Sequence, residues 1–416
     1  MPSVAINNVL PVEVIAHILR MATTAPTCYA LTKTYVPFQN VPGENVLPES
    51  RAALSKLEAA SWITKLSIVR VCKAWKSLAL EYLYEEVYMG EHAKTLSEAL
   101  EKSETMFPRE GVGRRVRCIV LSAWRPEIKP IPLPEVLRWC PNTEILVKSD
   151  DDTTPTPNPD VDLSSIKRFD WRFTRFQLFA ERGLHWQNTH QGLDFFRDAM
   201  MRSDNVHYLA VGIRYPMSRL SDNPRPHIAT HSLTTLRVHH IGPVIRAEIE
   251  GWDCPNLTHI ITDSSLMWET YSPIFGPRIE VVELIKDESL HSIFALGVVE
   301  KCPNLLELNY HVEYGQFPSK PIHQDTLRCI RLYAGRNYMI DLADTWELLK
   351  AQFTLFAGPS FPSLRRLVLY GDWDDVLRDS QFVPLKDGVL ARGCAVETNS
   401  MDVGYVFAAK LRYFYL

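Results

Sequence analysis

The sequence predicts an α/β chain in which an N-terminal helical module is followed by a curved solenoid, with a parallel sheet and outer helices. Three observations predict it: a tripeptide that recurs ahead of extended segments, an apolar spacing that repeats ten times, and two amphipathic segments within the first 88 residues.

The tripeptide is Cys-Pro-Asn, at Cys140-Pro141-Asn142, Cys254-Pro255-Asn256 and Cys302-Pro303-Asn304, with Phe361-Pro362-Ser363 as a variant. Proline disfavours helical backbone at the residue before it, so helices expected over Leu133 to Trp139 and His291 to Lys301 end there. An apolar extended run follows each time. The motif is a helix-to-strand punctuation mark.

Aligned on their apolar residues, ten segments share the spacing i, i+3, i+5, beginning at Val116, Thr143, Ile166, Val206, Leu233, Leu257, Ile279, Leu305, Leu327 and Leu364. Only Thr143, Lys148 and Thr262 break the apolar pattern. Most steps between starts suit one strand and one returning helix. Two longer steps hold insertions, around Gln177 to Gln191 and Arg336 to Gly358, where Leu342 to Phe356 reads as a longer helix. Each repeat buries its apolar set only by stacking on the next, which requires a parallel sheet. The spacing resembles that of leucine-rich repeats, without the Asn that usually follows the strand. A last helix is expected over Asp387 to Cys394, a last strand over Ala395 to Asn399, and an aromatic tail, Tyr405 to Leu416, closing the end.

Residues 1–88 form the other domain, with an insertion at about 23–62; residues 89–416 form the array of about ten irregular repeats. Leu10-Pro11-Val12-Glu13 opens a short amphipathic helix, since proline suits a first helical turn and Glu13 complements the helix N-terminus. Leu66 to Ala79 follows, containing Val71-Cys72-Lys73-Ala74-Trp75, then Leu83-Tyr84-Glu85-Glu86-Val87. Ser50 to Leu78 has the apolar period of one long helix. Leu-Pro-x-Glu, Val-Cys-x-x-Trp and the Leu-Tyr ending together resemble the F-box, particularly that of fungal F-box-like proteins with degenerate leucine-rich-like repeats. The resemblance implies that Leu10, Pro11, Ile15, Ile18, Leu19, Val71, Cys72 and Trp75 dock a Skp-type adaptor, and through it a cullin. The insertion, with its Pro- and Asn-rich stretch Pro37 to Pro48, is a departure from the motif.

Composition narrows the function classes. With 45 Lys and Arg against 49 Asp and Glu, the net charge of -4 includes no basic run suited to phosphates, so no nucleic-acid partner is expected. No apolar stretch is long enough to span a membrane, and an intracellular location, cytoplasm or nucleus, is expected. Eight cysteines without a C-x-x-C fit reduced, mostly buried thiols. Phosphate loops, nucleophile elbows and zincin motifs are absent from the sequence, so neither an enzyme nor a cofactor is expected. The acidic stretch Ser149 to Asp162 lacks the spacing of a calcium loop and reads as a solvated insertion. His239 and His240, adjacent at a strand end, point to opposite faces and cannot share one metal.

Residues between the apolar positions point to the other sheet face, expected to be concave and water-facing. The candidates there for binding a protein substrate are Arg168, Asp170, Arg172, Tyr208, Arg237, His239, Glu283, Glu307, Asn309, His311, Arg331, Tyr333, Arg366 and Tyr370. Arg and Tyr supply contact area and directional hydrogen bonds at interfaces. Two functions follow as alternatives: a substrate receptor of a ubiquitin ligase, or a protein-interaction scaffold whose first helices only cap the array.

Overall fold

A computed structural model describes residues 10–23, 37–38, 59–89, 93–121, 133–148, 162–173, 187–213, 228–239, 243–262, 272–284, 294–312, 322–334, 343–371 and 373–399. The chain divides into two compact units: Met1–Thr34 with Asn40–Val206 and Asp402–Leu416, and Tyr35–Gln39 with His207–Met401.

In the first unit the helical module consists of α1 (Val12–Thr23), α2 (59–68) and α3 (Lys73–Tyr84). Ile15 and Leu19, four apart on α1, close against Ile68 of α2 and Ala79 of α3, with Leu10, Val69, Trp75, Leu78 and Tyr82 at the margin. Each large apolar side chain buried there contributes roughly 1.5–3 kcal/mol. Ser61 donates to the Thr23 carbonyl at 2.6 Å and Tyr82 to the Ala16 carbonyl at 3.1 Å. Arg20 grips Glu85 with two hydrogen bonds of 2.7 and 2.8 Å and lies over the Tyr82 ring.

The long helix expected over Ser50 to Leu78 is corrected by this arrangement. Val71 closes a turn onto the Ile68 carbonyl at 3.1 Å, Cys72 is extended at φ -161°, and a new helix begins with Lys76 donating to the Cys72 carbonyl. The β-branched run Ile68, Val69, Val71 is a weak helix former. The break lets Ile68 and Ala79 approach the same face of α1.

The same unit continues through β1 (Glu86–Met89), α4 (Ala93–Met106), β2 (Cys118–Leu121), α5 (Leu133–Trp139), β3 (Ile145–Lys148), β4 (Arg168–Phe173) and α6 (Gln187–Arg202). Strands β1 to β4 pair in parallel in sequence order. The second unit holds β5 (Tyr208–Ile213), β6 (Thr235–His239), α7 (Pro243–Glu250), β7 (His259–Thr262), β8 (Val281–Leu284), α8 (Phe294–Lys301), β9 (Glu307–His311), β10 (Cys329–Ala334), α9 (Ala343–Ala357), β11 (Arg366–Gly371), α10 (Asp374–Arg378), α11 (Phe382–Ala391) and β12 (Ala395–Asn399). Its eight strands are also parallel and in sequence order. This is the repeat-like parallel sheet with intervening helices that the spacing predicts.

All 27 apolar members of the i, i+3, i+5 sets are buried, and so are the three exceptions. Thr143 satisfies its hydroxyl on the Cys140 carbonyl at 2.8 Å, and Lys148 lies over the Trp171 ring at 5.8 Å. A buried polar atom is tolerated when it has such a partner.

Each Cys-Pro-Asn closes a turn. The cysteine is buried, and its carbonyl accepts the turn-closing N–H of Thr143, Leu257 or Leu305 at 3.1–3.2 Å. At Cys140 and Cys302 the motif directly follows the helix end, at Trp139 and Lys301, whereas the helix before Cys254 has already ended at Glu250. The asparagine donates its side-chain amide to the preceding repeat: Asn142 to the Arg114 carbonyl at 2.7 Å, Asn256 to His231 at 2.6 Å and Asn304 to Pro277 at 2.7 Å. Asn205 does the same to Ser164 at 2.7 Å, and Thr326 to Pro303 at 3.0 Å. At four of the ten apolar sets the stitching asparagine therefore stands one residue before the set, ahead of the strand and not behind it.

The last helix is Phe382–Ala391, not Asp387 to Cys394. Phe382 and Val389, seven apart, are buried, and Phe382 meets Phe353 edge-on at 5.1 Å. Gly393, at φ +82°, ends the helix while donating to the Leu390 carbonyl at 2.8 Å. The strand Ala395–Asn399 lies where the sequence places it. Residues 400–416 lie outside the described residues, as do 149–161, 174–186 and 335–342, which include most of the acidic stretch and parts of the two insertions.

Candidate protein-binding site

The first candidate surface is the helical module. Of the eight residues assigned by F-box resemblance, Ile15 and Leu19 are buried in the module core, and Leu10 and Trp75 pack at its margin. Pro11, Ile18, Val71 and Cys72 are exposed, Ile18 at 45% and Val71 at 60%. Val14 and Met21, which the motif did not single out, are exposed beside Ile18: positions 14, 18 and 21 share one helical face. Their signal in the sequence is that α1 is apolar on two sides, more than one buried stripe requires.

The second candidate surface is the sheet face opposite the apolar sets. Register brings the candidates into ranks. One rank runs Ala210, Arg237, Ile261, Glu283, Asn309, Arg331 and Val368, and another runs His311, Tyr333 and Tyr370. In the first unit Arg168 is level with Ile145 and Cys118, and Asp170 with Val147 and Val120.

A water-facing row is not what this face is. Arg168, Asp170, Tyr208, Arg237, Glu283 and Asn309 are buried, and His239, Glu307, His311, Arg331, Tyr333 and Tyr370 are half-buried; only Arg366 is exposed. The Arg172 side chain lies outside the described residues. The reason is visible in the neighbours. Cys118, Val120, Ile145 and Val147 form one apolar cluster on this face, and Tyr208, Ala210 and Ile261 another. A parallel sheet is normally covered on both sides, and these residues fit a covered face. The continuous apolar runs Cys118 to Leu121 and Ile145 to Val147 were the available signal.

Charged groups on the face are paired accordingly. Arg168 and Asp170 form a bidentate pair; Arg331 pairs with Glu307, which also accepts from Asn309 at 2.8 Å; Arg366 pairs with Glu397 at 2.8–3.0 Å. The Arg366 guanidinium holds the Glu397 carboxyl below its ordinary range.

The C-terminal ends of β8 to β11 carry a distinct cluster. His311 and Tyr333 meet at a tilt of 57° with centroids 4.5 Å apart, and Tyr370 is level with Tyr333. Against them lies Phe38, from the insertion between the module helices. Its ring centroid is 6.0 Å from His311, 5.4 Å from Tyr333 and 5.2 Å from Tyr370. Its backbone N–H donates to Glu283 Oε2 at 2.8 Å, and the residue is buried. Sequence reasoning placed the four pocket residues among its candidates and missed Phe38, because one aromatic residue in a proline-rich stretch has no periodicity to betray it.

No family model matches the chain, and no curated protein matches it. A protein of Bacteroides fragilis, solved by a structural genomics consortium, overlays on it with a TM-score of 0.36 at 11% identity, over 84% of each chain. A likeness of that size carries no argument.

Burial pushes the thiols of Cys140 and Cys302 up to about 12 and those of Cys254 and Cys329 to about 11. Burial thus favours the protonated thiol in these core cysteines. Among the described residues no three His, Cys, Asp or Glu side chains are grouped to hold a metal, and no helix is long and apolar enough to cross a membrane. What the arrangement offers chemically is recognition: an exposed apolar helix face, and an aromatic and acidic pocket already engaging a peptide group.

Proposed function

We propose that the chain is the substrate-recognition subunit of an SCF-type cullin-RING ubiquitin ligase, its F-box-like module docking a Skp-type adaptor and its repeat array binding a protein substrate. The observation that carries this reading is the division of the module's apolar residues. Ile15, Leu19, Ile68 and Ala79 suffice to close its core, while Val14, Ile18, Met21 and Val71 stay in water within the segments that resemble the F-box. Val14, Ile18 and Met21 share one face of α1, and exposed apolar side chains grouped on one face mark contact surfaces. Cys72 and Pro11, also exposed, belong to the same motif matches.

Co-purification with a Skp-type adaptor tests the assignment. Ile18→Asp with Val71→Asp is the informative change, because both side chains are exposed and the core is untouched. Recovery of adaptor with the wild type and its loss with the double variant supports the reading; no recovery with either removes it.

One observation favours the alternative, a non-ligase interaction scaffold. Helix α3 runs directly into β1, and the Glu85 carbonyl accepts the N–H groups of both Arg117 and Cys118 at 2.8 and 2.9 Å. The module thus continues into the first strand pair as an end cap would, and repeat arrays need such caps. Substrate capture without adaptor binding is the outcome that selects the scaffold.

A further inference from the structure

We propose that His311, Tyr333, Tyr370 and Glu283 form a recognition pocket for a phenylalanine-centred peptide segment of a partner protein, which the chain's own Pro37–Phe38 occupies as an internal competitor. The proposal rests on reading the repeat array as a protein-binding surface. It adds the ligand class and a means of regulation.

Four features make Phe38 ligand-like. The unit it joins otherwise begins at His207, so a five-residue segment, Tyr35–Gln39, reaches it from far away in the sequence. Its recognition uses one aromatic ring and one backbone N–H, which any peptide chain can present. The N–H is read by a carboxylate, a charge-assisted bond stronger than one to a neutral acceptor. Phe38 is also held at φ +57°, a left-handed conformation disfavoured for a non-glycine residue that persists only where surroundings enforce it.

The pocket is built where the sheet does not need it. His311, Tyr333 and Tyr370 lie beyond the i, i+3, i+5 positions that close the core, at the C-terminal ends of adjacent strands. Their rings meet the Phe38 ring edge-on or tilted, arrangements that aromatic pairs prefer. Such a pocket discriminates a Phe from an aliphatic residue by ring geometry, and a free N–H from a proline nitrogen through Glu283. A tethered segment competes at high effective concentration, so a partner peptide gains access only by matching it or by displacing it through additional contacts.

The test uses full-length chain and a fluorescein-labelled peptide of residues 34–42, Thr-Tyr-Val-Pro-Phe-Gln-Asn-Val-Pro, with binding read by anisotropy. Phe38→Ala vacates the pocket and is expected to bind the peptide at least tenfold tighter than the wild type. Changing the peptide's phenylalanine to alanine, or adding Tyr333→Ala to the protein, is expected to remove that gain. Pro37→Gly loosens the internal segment with the pocket intact and carries the same comparison should Phe38→Ala not fold. Equal affinity of wild type and folded variants, no binding to any of them, or binding indifferent to the peptide's phenylalanine overturns the proposal. Adaptor recovery measured on the same preparations reads the ligase assignment separately, so peptide failure with adaptor retained rejects the pocket alone.

Discussion

Arg168 and Asp170, two residues apart on β4, form a buried bidentate ion pair, Nε to Oδ1 at 3.0 Å and Nη2 to Oδ2 at 2.7 Å, with side chains 1% and 2% exposed. Removing Arg168 leaves the buried Asp170 carboxylate without the guanidinium that neutralises it. Arg168→Ala should therefore destabilise the chain by about 3–5 kcal/mol, whereas replacing both residues by apolar ones of similar volume should be near neutral or stabilising. Urea unfolding of the single and double variants checks this; a single variant as stable as the wild type contradicts it.

Two glycines sit where a neighbouring backbone segment comes close. A Cβ on Gly113 would strike the Trp139 carbonyl oxygen, and one on Gly276 the Lys301 carbonyl oxygen. Backbone cannot give way as a side-chain tip can. Gly113→Ala and Gly276→Ala should each cost about 1–3 kcal/mol. Gly388, inside α11 with only ordinary contact to Ala357, is the contrast. Gly388→Ala should raise stability by roughly 0.5–1 kcal/mol through helix propensity. Thermal melts of the three variants read the opposite signs.

The inter-repeat amides should be worth a similar amount each. Asn142→Ala, Asn256→Ala and Asn304→Ala lose one side-chain donor to the preceding turn, at about 0.5–1.5 kcal/mol per site. The sites share no partner, so their costs should add. A triple variant unfolding at the same denaturant concentration as the wild type would remove the stitching role.

His259 gives the chain an acid-side liability. Burial is the main cause that holds its imidazole below the ordinary value of 6.5, against an opposing pull from Glu280. Thr258 Oγ1 lies 2.8 Å from its Nδ1. The native state thus prefers the neutral ring while the unfolded state binds a proton below about 6.5. Its stabilising contribution is present above that pH and is lost as pH falls toward the depressed folded value. His259→Asn should flatten the fall in Tm between pH 7.5 and 5; an unchanged slope assigns the acid sensitivity elsewhere.

Much of the array could be read from the chain. Cys-Pro-Asn marked three turns because proline acts on its immediate neighbour, and the i, i+3, i+5 sets are all buried because one strand's pleat decides which face they take. Longer-range effects were less legible. The same spacing cannot say that Cys118, Val120, Ile145 and Val147 are covered on the second face, since that depends on residues remote in sequence. The helix break at Cys72 follows from Ile68 and Ala79 both having to meet α1. Docking of Phe38 depends on a pocket assembled by four strands, and nothing within the insertion encodes it. At the module the motif resemblance named Ile18 and Val71, but mixed them with core residues such as Leu19, because a linear motif does not separate residues that fold it from those that face a partner.

The most direct test of the whole account is calorimetric titration of the purified full-length chain with a purified Skp-type adaptor. Saturable one-to-one binding, weakened at least tenfold by Ile18→Asp with an unchanged melting temperature, is the expected result. Absence of any binding heat from a folded wild-type chain would contradict the assignment.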